Sequence, residues 1–211
     1  MSRILITSGP TRQYLDPVRY LSNASSGRMG AAMASAAVAM GHQVVVVSGP
    51  VDVAYPDGVE VIRVVSTEDL LAECMKVFPA CDGLIAAAAP CDYRPRSVAT
   101  EKIHKTGESL RLELVETPDV VASLAVHKKP SQWIVAFALE TDDPHRRAMQ
   151  KLRQKNADLI VLNEPAAIDA QETRVEALDR EGRVAGRFDG EKTVVARELL
   201  ALIERQFSRS R

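Results

Sequence analysis

The chain has 211 residues, 46% of them hydrophobic and 26% charged, with a net charge of −1 and only 4% aromatics. This mix supports an ordinary buried core and excludes a general nucleic-acid binder, which needs a large basic excess. Cys74, Cys81 and Cys91 form no disulfide framework, the four histidines no metal pattern, and no apolar run suits a secretory or membrane-spanning segment, so a reducing cytoplasm is expected.

Strands and helices alternate along the chain. Residues 4–7 read as a short apolar strand. A loop rich in Ser, Asn and Gly over 16–30 then runs into a small-residue helix that stops at Gly41, with Ser25 or Ser26 as the expected N-cap. Residues 43–48 are continuously apolar, as in a strand covered on both faces, and 59–64 alternate in part, as in an outer strand. Thr67 is the expected cap of a helix to about Phe78, and 84–88 is another buried strand. The stretch 89–109 is too long for an ordinary connection, so a mobile lid is expected over about 94–109. Residues 110–115 alternate as a strand, after which Thr117 caps and Pro118 opens a helix. A strand at 133–138, a helix from Asp143 to about Asn156 and a strand at 158–162 follow. Asp179-Arg180-Glu181-Gly182 then marks a hairpin extension over about 172–190, before a final helix over 191–207 and a frayed tail at 208–211. The sum is a single α/β domain over 1–211: a doubly wound, mostly parallel Rossmann-like sheet with a C-terminal hairpin.

In such sheets ligands bind at the carboxyl ends of the strands. Gly9, Thr11 and Asn23 follow the first predicted strand, Asp92 the fourth, Phe137 and Glu140-Thr141 close the strand that contains Trp133, and Asn163 follows the last parallel one. The loop before the first helix offers backbone N–H groups and a positive dipole end to an anion, or is simply a capped loop whose glycines allow close helix–sheet packing. Lys102-Ile103-His104-Lys105 lies in the expected lid, where a cation is either solvated or brought onto phosphate by closure. Arg147, Lys151 and Lys155 recur at i, i+4 and i+8, a like-charge pattern costing about 0.2–0.5 kcal/mol per pair that a polyphosphate or nearby acids would relieve. Neither GxGxxG nor GxxxxGK[ST] is present, which weighs against a nicotinamide-dependent oxidoreductase and a Walker-type NTPase.

Taken in order, Asp16-Pro17-Val18-Arg19, Ser22-Asn23-Ala24-Ser25-Ser26-Gly27-Arg28-Met29-Gly30, Ser48-Gly49-Pro50-Val51, Asp92-Tyr93-Arg94-Pro95, Lys102-Ile103-His104-Lys105, Pro118-Asp119, Glu140-Thr141 and Lys151…Lys155 resemble the phosphopantothenoylcysteine synthetase (phosphopantothenate–cysteine ligase) family over nearly the whole chain. In many bacteria this is the C-terminal half of a bifunctional coenzyme A biosynthesis flavoprotein. The resemblance implies a stand-alone ligase, without bound flavin, that joins 4′-phosphopantothenate to cysteine. It implies CTP rather than ATP as the activating nucleotide, Mg²⁺ as cofactor with unassigned ligands, and an acyl-cytidylate intermediate. It assigns charge stabilisation at the reacting phosphate to Lys102 and orientation of the acyl intermediate to Asn23. It places the nucleotide against Ala86, Ala87, Ala88, Asp92, Lys102, Pro118, Asp119, Val120, Val121, Phe137, Lys151 and Lys155, and the phosphopantothenate against Gly9, Thr11, Asn23, Ser25, Ser26 and Gly27. A homodimer with sites near the subunit boundary is implied, with the hairpin around Gly182 expected at that boundary. A separate decarboxylase is a possible partner, whereas nucleic acid and membrane are not expected. The chain departs from the family pattern at Ala24, Pro90-Cys91, His104, Leu139 and Glu164-Pro165. A nicotinamide oxidoreductase and a non-catalytic nucleotide sensor are the competing readings.

Overall fold

A computed structural model describes residues 1–163 and 171–207. The Glu164-Pro165 departure and the tail at 208–211 lie outside the described residues. Six strands run parallel in the main sheet: β1 (Arg3–Ser8), β4 (Gln43–Ser48), β5 (Glu60–Arg63), β6 (Gly83–Ala86), β9 (Trp133–Leu139) and β10 (Leu159–Asn163). The hairpin strands β11 (Glu172–Asp179) and β12 (Val184–Glu191) continue it antiparallel, giving the order β12-β11-β10-β9-β6-β1-β4-β5. Strand order therefore reverses between β1 and β6, the point where doubly wound sheets open a crevice. The fold class expected from the alternating pattern is the one observed.

Successive residues of each buried strand feed opposite layers. Ile4, Ile6, Val44, Val46 and Val135 pack under α1 (Arg28–Ala39) and α5 (Lys192–Phe207). Leu5, Val47, Leu84, Ile134 and Ala136 pack under α2 (Thr67–Val77), α3 (Val120–Val126) and α4 (Pro144–Gln154). Among the described residues no helix is long and apolar enough to cross a membrane.

Several local expectations need correction. Residues 12–22 are not loop but a hairpin of β2 (Arg12–Asp16) and β3 (Arg19–Ser22). The side chain of Asp16 accepts from the Val18 and Arg19 amides and so closes the turn, and Tyr14 faces Tyr20 edge to face. The strand expected at 110–115 is only β8 (Leu114–Glu116), paired antiparallel with β7 (Tyr93–Pro95). Neither Ser25 nor Ser26 caps α1; Gly27 does, with φ 75° and no side-chain cap bond. Ser66, not Thr67, caps α2 in a reciprocal box with Asp69, and Asp119, not Thr117, caps α3.

The close helix–sheet packing attributed to the glycines is real at Gly30. A Cβ there would lie 2.2 Å from Ser8 Oγ and 2.5 Å from Ser8 Cβ. Overpacking of this kind costs about 1–3 kcal/mol, more than the ~1 kcal/mol that alanine gains over glycine within a helix. Gly30→Ala is therefore expected to destabilise the fold by about 1–2 kcal/mol, read as a lower urea midpoint at unchanged slope.

Two cavities astride the sheet rim

Two cavities open at the carboxyl ends of the strands, one above each helical layer. The first, about 360 Å³, lies on the α2/α3/α4 side and is lined by Thr7, Ala86, Asp92, Thr117, Pro118, Asp119, Val120, Val121, Lys151 and Lys155 among others. The second, about 420 Å³, lies on the α1/α5 side and is lined by Asn23, Ser25, Ser26, Gly27, Arg28, Ala87, Asn163 and Lys192 among others. They share Ala88, Phe137 and Lys151 as a common wall. Every residue expected at the nucleotide lines one of these cavities except Lys102.

The dividing loop after β6 is held by Gly9, Thr11 and Thr67, which line neither cavity, and by Thr117 of the first. The Ala89 amide donates to the Gly9 carbonyl at 2.9 Å, and the Cys91 amide donates to Thr11 Oγ1 at 2.8 Å. The Cys91 carbonyl accepts from the Thr67 hydroxyl at 3.2 Å and the Thr117 hydroxyl at 2.6 Å. Gly9 and Thr11 thus stand behind the expected phosphopantothenate pocket and hold its wall, while Asn23, Ser25, Ser26 and Gly27 face it.

Asn23 has a defined orientation. Its Nδ2 donates to the carbonyls of Ala89 (3.2 Å) and Pro90 (2.9 Å). Both amide hydrogens are therefore committed, and Oδ1 is the group left to meet a ligand. The side chain offers an acceptor, not a donor.

Arg147 and Lys151 of α4 and Lys155 at its C-cap each meet an acid: Arg147 meets Asp142 at 3.3 Å, Lys151 meets Glu140 at 2.7 Å, and Lys155 meets Asp119 at 2.5 Å. Nearby acids thus offset the like-charge cost without any ligand. Burial raises the Asp119 carboxyl, but the Ala122 amide and the Lys155 ammonium outweigh it and hold the group below its ordinary value. It is ionised at neutral pH while it caps α3.

Lys102 is exposed and lines neither cavity of its own subunit. Its loop is tied to the β2–β3 hairpin: the Ile103 amide donates to Asp16 Oδ2 at 3.1 Å, the Ile103 carbonyl accepts from Arg19 at 2.6 Å, and the Ala99 amide donates to the Leu15 carbonyl at 2.9 Å. Arg19 also pairs directly with Asp16. Chiefly through these Arg19 bonds, and against burial, the Asp16 carboxyl is held well below the usual carboxylate range. A depressed folded value means the anchor is intact above the ordinary value of 3.8 and is lost only as pH falls through the lower folded one. A hydrogen bond to a charged group is worth about 1.5–3 kcal/mol. Asp16→Asn is accordingly expected to speed hydrogen exchange at the Ile103 amide roughly tenfold or more at neutral pH.

Lys192, in the wall of the second cavity, and Glu140, in that of a neighbouring one of about 610 Å³, carry signals that sequence reasoning passed over. Lys192 opens α5 at 8% exposure, a cation placed against the dipole of its own helix. Glu140 stood out only as part of a motif. Among the described residues no group of three or more His, Cys, Asp or Glu could hold a metal ion.

The model of the DNA/pantothenate metabolism flavoprotein C-terminal domain family matches residues 1–207. The chain belongs to this family. Among curated proteins, the member is 46% identical over 164 residues to the coenzyme A biosynthesis bifunctional protein CoaBC of Vibrio cholerae, covering 77% of this chain and 41% of that one. It is 43% identical to CoaBC of Escherichia coli, covering 76% of this chain and 40% of that one. The chain therefore spans about half or less of the length of the curated relatives it matches. Among solved structures, the C-terminal domain of a CoaBC bifunctional protein superposes on this family member with a TM-score of 0.83 at 36% identity, covering 99% of this chain and 96% of that one.

Proposed function

We propose that this chain is a phosphopantothenate–cysteine ligase of coenzyme A biosynthesis that uses CTP. The observation that carries the reading is the common wall: a cavity lined by Lys151, Lys155 and the start of α3 meets a cavity lined by Asn23 and the start of α1 at Ala88 and Phe137. Two substrates held there would touch where the sheet order reverses.

A carboxylate is a poor acyl donor, because oxide would have to leave. In the first step its oxygen attacks the α-phosphorus of CTP and pyrophosphate departs, giving an acyl-cytidylate. No protein nucleophile is needed. Lys151 and Lys155 steady the phosphates, and Lys102 meets the charge that grows at the reacting phosphorus. The exposed amides of the first turn of α1 suit an anionic group of the acid. In the second step the cysteine amine attacks the acyl carbon, CMP leaves and the nitrogen loses a proton. Asn23 Oδ1, an acceptor, orients an N–H group of the reacting pair.

The protein acts as a homodimer in this reading. Exposed apolar residues gather on the small β2–β3 and β7–β8 sheets, including Tyr14, Tyr20, Tyr93, Leu112 and Leu114. The hairpin around Gly182, expected at the subunit boundary, extends the main sheet as its edge. Pairing through the small sheets would carry the Lys102 loop, which is tied to β2–β3, toward a partner's rim.

The test supplies 4′-phosphopantothenate, cysteine, Mg²⁺ and each of the four nucleoside triphosphates, and follows pyrophosphate and amide. CTP is expected to give the fastest release. ATP as the fastest would overturn the nucleotide assignment, and no release with any of the four would sink the ligase reading. Saturable CTP binding without turnover would identify a nucleotide sensor, and hydride transfer to NAD(P) an oxidoreductase.

A further inference from the structure

Glu140 stands one residue past β9, and its side chain is only 9% exposed. Its Oε1 lies 2.7 Å from the ammonium of Lys151, yet this buried oxygen has no aligned hydrogen-bond donor among the described residues. The two side chains form a close ion pair. Lys151 is itself 42% exposed on its side chain and, among the described residues, is the one cation lining both cavities. The neighbouring pair differs in kind: Lys155 forms a directed hydrogen bond to Asp119, whose other oxygen is engaged by the Ala122 amide at the start of α3.

We infer that Glu140 is a positioning residue for Lys151. Its carboxylate is a fixed counter-charge on the rigid end of a central strand. This ion pair retains the ammonium at the common wall, within reach of an anion in either cavity. Without that charge the flexible lysine stem spreads over many rotamers, and ordering it must be done at the expense of substrate binding. Displacing a positioning contact by about 1 Å costs up to ~10²-fold in rate.

The inference rests on the ligase reading, and a double-mutant cycle keeps the two separable. Wild type, Glu140→Gln, Lys151→Gln and the double variant are compared for phosphopantothenate-dependent pyrophosphate release from CTP. Glu140→Gln is expected to lower kcat/KM for CTP about 10–100-fold. In the Lys151→Gln background it should have almost no further effect, because the group it positions is gone. Glu140→Asp, which keeps the charge, should recover part of the loss. Multiplicative losses in the double variant, or a Glu140→Gln enzyme at wild-type rate, would overturn the inference. If Glu140→Gln fails to fold, the same cycle with Glu140→Asp decides the question by the same criterion. Failure of the wild type itself to release pyrophosphate would count against the ligase reading instead.

Discussion

Replacing Lys102 by glutamine is expected to cut acid-dependent pyrophosphate release roughly 10²–10³-fold, the usual cost of one lost transition-state contact to developing charge. The protein's stability should hardly change. Lys102 is exposed, and substitutions at such surface sites usually stay within about 0.5 kcal/mol. Loss of rate with an unchanged thermal midpoint is thus the signature to look for. The location of the loop adds a sharper test. Because Lys102 lines neither cavity, the role proposed for it requires loop closure or delivery from a partner. Mixing Lys102→Gln with an Asn23→Ala variant separates these routes. If the lysine crosses between subunits, mixed dimers contain one site with both native residues, and activity reappears. Mixed dimers with no regained activity would assign Lys102 to its own subunit, and a Lys102→Gln enzyme at wild-type rate would remove it from the chemistry.

Asn23→Ala is expected to slow amide formation on the order of 10²-fold while leaving activation closer to normal, since it removes an orienting group near the acyl carbon. Single-turnover measurement of pyrophosphate and amide distinguishes the steps, with cytidylate accumulating between them. Equal slowing of both would defeat this division of labour. The bonding of the side chain yields a second comparison. Nδ2 donates to the Ala89 and Pro90 carbonyls, so Asn23→Asp removes both donors and sets a negative charge against two carbonyl oxygens. The aspartate variant should therefore be the slower of the two, although it keeps an acceptor. An aspartate variant as active as wild type would show that the two carbonyl bonds do not matter.

The main sheet was legible because its signals are local. Residues 4–7, 43–48 and 133–138 are apolar on both faces, and Asp179 to Gly182 carries its own turn chemistry. Hairpin β2–β3 was not, because Asp16-Pro17 reads as a breaker until the Asp16 carboxylate is seen bonding the amides that follow it. The misplaced caps have a shared cause. Thr67 and Thr117 are sound local caps, but both hydroxyls are spent on the Cys91 carbonyl, whose position no local pattern reveals. At the site, Asn23, Asp92, Phe137 and the start of α3 line the rim cavities, since the strand order fixes the rim, whereas Gly9 and Thr11, also past a strand end, line neither. Lys102 did not, because a loop anchored to a small outlying hairpin is located by long-range contacts alone. The partners of Lys151 and Lys155 likewise come from other elements, so spacing along α4 showed the repulsion and not its relief.

All three cysteines are buried. Burial pushes the Cys74 thiol up to about 12 and the Cys81 thiol up to about 11, and raises Cys91 as well. Thiol–disulfide exchange requires a thiolate with access to its target. In the proposed reaction the protein would meet free cysteine, and its oxidised form cystine, at working concentration. With every sulfur protonated and shielded, it has little means of becoming S-cysteinylated by that proposed substrate, even where Cys91 borders the first cavity.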